Sequence, residues 1–139
     1  MDVGVIGVGA MGRNHVRVYS EQKGVGNVYV YDPVAESAAR ASEFATISGS
    51  LEEMLKSVDA VSICVPTRYH FETAKKVIEA GINCLIEKPI TLTLDEGARL
   101  LKIIKGSDLV VGVGHIERFN PIVAEMTKIA QSPDYVAIK

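Results

Sequence analysis

Short apolar runs alternate with amphipathic stretches along most of this chain. The runs are Val3-Gly4-Val5-Ile6, Val28-Tyr29-Val30-Tyr31, Ala60-Val61-Ser62-Ile63-Cys64-Val65, Asn83-Cys84-Leu85-Ile86 and Leu109-Val110-Val111-Gly112-Val113. Their apolar residues fall at consecutive rather than alternate positions, which predicts strands covered on both faces. Ala45-Thr46-Ile47 is a weaker candidate of the same kind. Between the runs the spacing turns helical. Phe71, Ala74, Val77 and Ile78 share one face, and Gly81 follows as a stop. Leu94, Ala98, Leu101 and Ile104 repeat the pattern, with Thr93 as N-cap, Glu96 to complete a capping box and Gly106 past the end. Asp32-Pro33 and Ser50-x-x-Glu53 start two more helices. Strand and helix in strict alternation predict an α/β fold, a doubly wound parallel sheet with crossover helices on both faces.

The end of the chain breaks this rhythm. Pro121 opens a helix carrying Ile122, Val123, Met126, Ile129 and Ala130. Ser132-Pro133-Asp134 ends it, and Tyr135 to Lys139 reads as a strand without an evident partner. Residues 1–120 are therefore expected to form one domain. Residues 121–139 are expected to be a linker helix and the first strand of a second domain that is missing.

Composition narrows the class. The chain has 139 residues, 47% hydrophobic and 23% charged, enough for one domain with a real core. A net charge of −2 with no basic cluster argues against nucleic acid as a partner. No apolar stretch reaches the roughly 20 residues that span a bilayer. Asp2 stands where a secretory leader would carry basic residues, so a cytoplasmic protein is the expectation. Cys64 and Cys84 lie inside apolar runs and read as buried free thiols, and no metal site is expected.

Gly7-x-Gly9-x-x-Gly12 lies between the first strand and a helix. This spacing suits a pyrophosphate: a tight turn, a close backbone approach, and close helix packing. A plain strand-to-helix turn uses glycine too. Asp32 raises the first reading. It ends the second strand about 20 residues past Gly12, where an acid accepts hydrogen bonds from an adenosine ribose. No arginine stands beside it to hold a 2′-phosphate, which favours NAD over NADP. Asp32 as a helix N-cap is the alternative, compatible with the first. His15 reads as a packing or capping residue of the first helix, and Arg13 as a solvated one.

Leu85-Ile86-Glu87-Lys88-Pro89 ends the fifth strand, on the edge of a parallel sheet where ligands bind. A lysine there suits proton transfer; a surface Glu-Lys pair before a proline turn is the alternative. Gly7-Val8-Gly9-x-Met11-Gly12-x-x-His15, Val65-Pro66-Thr67-x-x-His70, Ala80-Gly81 and Glu87-Lys88-Pro89 occur in that order. Together they resemble the glucose-fructose oxidoreductase / inositol dehydrogenase / MocA family, from about Val3 to Pro121. Val113 to Pro121 resembles a subgroup that includes sugar-nucleotide dehydrogenases.

The resemblance implies a role for each matching position. Gly7, Gly9 and Gly12, with the backbone of Ala10 and Met11, would hold the pyrophosphate, and Asp32 the adenosine ribose. Cys64, Val65, Pro66, Thr67 and His70 would line the nicotinamide side. Glu87 would reach the nicotinamide ribose or amide. Lys88 would be catalytic, polarising a substrate oxygen and relaying its proton, with Lys88-Pro89 in cis. Thr67-Arg68 departs from the asparagine common in that turn, though a threonine hydroxyl can still cap the next helix. Arg118 would clamp an anionic substrate group, or pin the connection to the second domain. The implied activity is hydride transfer between nicotinamide and a hydroxyl-bearing carbon of a sugar, sugar nucleotide or cyclitol. The whole protein would act as a homo-oligomer formed through its missing domain, and this piece alone would be inactive. The alternative is a non-catalytic NAD-binding redox-sensing or assembly module.

Overall fold

A computed structural model describes residues 1–131; the strand expected at Tyr135 to Lys139 lies outside them. The apolar runs become β1 (Val3–Ile6), β2 (Val28–Tyr31), β3 (Thr46–Ile47), β4 (Ala60–Ile63), β5 (Asn83–Ile86) and β6 (Val111–Val113). The helices are α1 (Ala10–Glu21), α2 (Ala35–Ala39), α3 (Leu51–Leu55), α4 (His70–Glu79), α5 (Leu94–Lys105) and α6 (Pro121–Ala130). Short 3-10 turns fill Thr67–Tyr69 and Ile116–Phe119.

The strands form one parallel sheet in the order β3-β2-β1-β4-β5-β6. The chain reverses its direction of winding between β1 and β4, so a crevice opens at their carboxyl ends. Side-chain alternation divides the core in two. Val3, Val5, Val28 and Val30 pack with Val8, Val16 and Ala41 on one face. Ile6, Val61, Ile63, Cys84 and Ile86 pack on the other with Met54, Phe71, Val77 and Leu100. Covered strands need apolar residues of both parities, which is why the runs are continuous. Cover on both faces holds fully only in the centre. β1 is buried throughout, the residues of β6 are half-buried, and both residues of β3 are exposed, because an edge strand has a neighbour on one side.

The caps follow the sequence closely. Thr93 Oγ1 accepts the Glu96 N–H at 3.2 Å while Glu96 Oε2 accepts the Thr93 N–H at 3.2 Å. Ser50 Oγ accepts the Glu53 N–H at 3.1 Å, and Gly81 stops α4 with φ +76°. One expected start is displaced. Asp32-Pro33 opens no helix; α2 begins at Ala35, after Val34, without a side-chain cap. Asp32 is instead occupied at the end of β2. Both cysteines are free; Cys84 is buried, while Cys64 is half-buried at the crevice.

Candidate functional site

The crevice at the carboxyl ends of β1, β2 and β4 is a cleft of about 860 Å³. Gly7, Gly9, Asp32, Cys64, Val65 and Pro66 contribute to its walls. The three glycines of the first loop have three separate reasons to be glycine. Gly7 has φ +87°, and a Cβ there would stand 2.8 Å from the Val65 backbone nitrogen. At Gly12 a Cβ would collide with the Gly7 carbonyl, so helix and loop pack backbone to backbone. Gly9 has ordinary angles, φ −67° and ψ −164°, and a Cβ there would meet nothing within 4 Å. The protein's own packing does not require glycine at position 9. That open approach to backbone fits a dinucleotide's pyrophosphate.

Gly9 also begins α1 without a side-chain cap and with no acid in the first turn. The leading N–H groups, at Ala10, Met11 and Gly12, lie beyond the reach of intrahelical acceptors and carry the positive end of the helix dipole. Asp32 closes the far side. Its Oδ2 accepts the Val8 N–H at 2.8 Å and its Oδ1 accepts the Val34 N–H at 2.9 Å. Both oxygens keep a further lone pair, so the carboxylate anchors the loop and still offers acceptors to the cleft. The anchoring and ribose readings of Asp32 are therefore geometrically compatible.

Four residues have surroundings that their positions in the sequence did not disclose. His70 is 1% exposed and does not line the cleft. Its Nδ1 lies 2.8 Å from the Pro89 carbonyl and its Nε2 2.8 Å from the Val65 carbonyl, so the ring is wedged between two backbone turns and, when neutral, donates to one of them. Glu87 is 6% exposed and buried beside His15. Its Oε1 accepts from His15 Nε2 at 3.0 Å and its Oε2 accepts the Lys88 N–H at 3.1 Å. His15 is neither a cap nor plain packing, because it joins Glu87 to Ser62, whose Oγ lies 3.0 Å from Nδ1. A carboxylate at the end of an apolar strand looks the same in sequence whichever way it turns. Gly114 leaves room for the turn inward, since a Cβ there would stand 2.8 Å from Glu87 Oε1. Thr67 begins the 3-10 turn, and its hydroxyl caps neither that turn nor α4.

Lys88 is exposed and precedes a cis peptide to Pro89. With Pro89, Gly114, His115, Glu117 and Arg118 it borders a second hollow of about 400 Å³. Among the described residues neither Lys88 nor Arg118 forms an ion pair, and Glu117 instead accepts a hydrogen bond from Asn120 Nδ2. Burial pushes the Cys64 thiol up to about 12, with the Glu87 charge adding to it, and burial alone raises Cys84 to about 11. The Cys64 part of the cleft wall is therefore neutral.

The sequence reading missed the opposite wall. Tyr69, Glu72, Thr73 and Lys76 line the cleft along one face of the start of α4, and Arg68 stacks 4.8 Å from the Tyr69 ring centre. Their helical spacing was the available signal. Among the described residues no group of three or more His, Cys, Asp or Glu is placed to hold a metal ion, and no helix is long and apolar enough to cross a membrane.

The chain is similar to UDP-N-acetylglucosamine 3-dehydrogenase of Acidithiobacillus ferrooxidans, 39% identical over 128 residues, covering 88% of this chain and 39% of that protein. A solved structure of that enzyme superposes with a TM-score of 0.78 at 37% identity, over 92% of this chain and 42% of the other. Inositol 2-dehydrogenase of Corynebacterium glutamicum (strain R) is 32% identical over 137 residues, covering 94% of this chain and 41% of that protein. The chain thus spans about two fifths of the length of these relatives. Residues 1–115 match the family model for oxidoreductases with an NAD-binding Rossmann fold. The chain belongs to that family, Gfo/Idh/MocA, and carries its NAD-binding Rossmann fold.

Proposed function

We propose that this chain is the dinucleotide-binding part of a dehydrogenase acting on a hydroxyl-bearing carbon of a sugar, sugar nucleotide or cyclitol. The observation that carries this is the open backbone approach at Gly9, on the same sheet edge as the exposed Lys88 turn. Gly7, Gly9 and Gly12, with the N–H groups of Ala10 and Met11, hold the pyrophosphate. Asp32 accepts from the adenosine ribose. Cys64, Val65, Pro66 and Thr67 face the nicotinamide side, while Glu87 and His70 act through the backbone they hold.

Asp32 favours NAD over NADP, because a second anion beside its carboxylate is repelled. When bound, the nicotinamide supplies the hydride chemistry. Lys88 hydrogen-bonds the oxygen on the reacting carbon and relays its proton. Arg118 offers a planar fork to an anionic group such as a phosphate, the finer reading that a sugar nucleotide would satisfy.

Residues 1–120 form the dinucleotide domain in this proposal, and 121–139 lead towards a substrate domain. The active protein is a homo-oligomer in the cytoplasm. Calorimetric titration with NADH and NADPH tests the cofactor assignment, and tighter NADPH binding sinks it. Lys88→Ala in the full-length protein separates enzyme from sensor. Binding kept with hydride transfer lost supports the enzyme.

A further inference from the structure

Two of the four buried polar side chains among the described residues, Ser62 and Glu87, meet at one histidine. The chain of contacts starts at Tyr19, whose hydroxyl lies 2.6 Å from Ser62 Oγ. Ser62 contacts His15 Nδ1 at 3.0 Å, and His15 Nε2 contacts Glu87 Oε1 at 3.0 Å. A neutral ring with its proton on Nε2 satisfies every partner. It donates to the carboxylate and accepts from Ser62, which in turn accepts from Tyr19. The order serine, histidine, glutamate is that of a nucleophile relay, but Ser62 is fully buried on β4, so no substrate reaches it.

The elements joined are more informative than the chemistry. His15 and Tyr19 stand on the inward face of α1, whose N-terminus begins at Gly9. Glu87 stands at the end of β5, and its Oε2 holds the N–H of Lys88. Asp32, on the wall of the larger cleft, is held by Val8 and Val34 through separate bonds, while Lys88 borders the second hollow.

We propose that His15 is a positioning residue for the Lys88 turn, on the nicotinamide side of the site. It holds Glu87 inward, Glu87 holds the Lys88 backbone, and the turn bearing Lys88 is thereby fixed to the helix that receives the pyrophosphate. This rests on the dinucleotide reading above. Loss of His15 loosens the Lys88 end and leaves the adenosine end intact.

The test is calorimetry on the full chain with NADH and with ADP-ribose, which lacks the nicotinamide ring. In His15→Ala, NADH affinity is expected to fall about tenfold and ADP-ribose affinity less than about twofold, the scale of one lost charge-assisted hydrogen bond. In His15→Gln most of the NADH affinity is expected to return, because an amide offers Ser62 an acceptor and Glu87 a donor. Equal losses for both ligands, no loss for NADH, or a glutamine variant as weak as alanine overturns the proposal. If His15→Ala does not fold, Ser62→Ala removes a single hydroxyl. It is expected to give a smaller loss, again selective for NADH, and an unchanged NADH to ADP-ribose ratio overturns the proposal. A wild-type chain that binds neither ligand overturns the dinucleotide reading itself; wild-type binding with an unshifted ratio in the variants overturns the positioning role alone.

Discussion

Two carboxylates stand on the carboxyl edge of the same parallel sheet and are used in opposite ways. Asp32 ends β2 half-buried, is held by two backbone N–H groups, and borders the cleft. Glu87 ends β5 buried, is held by a histidine and by the Lys88 N–H, and has Gly114 against its oxygens. Backbone donors leave a carboxylate free to serve a ligand, whereas a buried side-chain partner commits it to the fold. The lesson is that an acid at a strand end is a ligand group only when the neighbouring elements leave it a way out.

The most severe change strikes the glycine loop between β1 and α1. Gly7→Ala should destabilise the fold by about 3 kcal/mol or more, since it forces a Cβ against the Cys64 and Val65 backbone just past β4 at a positive φ. Urea denaturation measures it, and a loss below about 1 kcal/mol would mean that the loop yields. Paired truncations separate the two carboxylates. Glu87→Ala should cost about 3 kcal/mol, leaving His15 and the Lys88 N–H without their acceptor. Asp32→Ala should cost only about 1 kcal/mol, as for a lost cap. Equal costs in the same denaturation experiment would erase the distinction.

Ligand binding should show the reverse order. Asp32→Asn is expected to weaken NADH by about tenfold and to narrow its advantage over NADPH, read by calorimetry. Gly9→Ala sharpens the point, because its effect on stability should stay within about 0.5 kcal/mol while NADH affinity falls. A stability loss at Gly9 with unchanged affinity would return that glycine to a folding role. The smallest effect concerns the thiols. With Cys64 pushed up to about 12 and Cys84 to about 11, both should react slowly with iodoacetamide at pH 8. Their native states keep protons that the unfolded chain has already lost. Their contribution to stability is therefore present below the usual thiol value of 9.0 and declines as pH rises towards 11 and 12. A thermal-melt series from pH 8 upward checks the sign.

Much of this organisation was legible in the order of residues. Local rules located β1, β2 and β5 and the Thr93 capping box, because these depend on neighbours a few positions away. They placed the start of α2 too early, since Asp32 gives one oxygen to Val8 across the sheet and the other to the Val34 N–H in a local turn, and α2 starts only after Val34. They extended the fourth strand to Val65, where the chain leaves the sheet after Ile63 to shape the cleft wall. The cleft-facing residues of α4 were visible as a spacing but not as a wall, because nothing local says which side of a helix faces a crevice.

The sequence by itself determined the alternation of buried strands and helices, the glycine loop, and the presence of an acid and a lysine at strand ends. Those follow from periodicity and backbone sterics. Only the tertiary structure decided that Gly9 faces open space while Gly7 and Gly12 pack against backbone. It also decided that Asp32 borders the cleft while Glu87 is enclosed by His15 and Gly114. His15 and Glu87 are 72 residues apart in the chain, and the direction of a side chain depends on what the fold brings beside it.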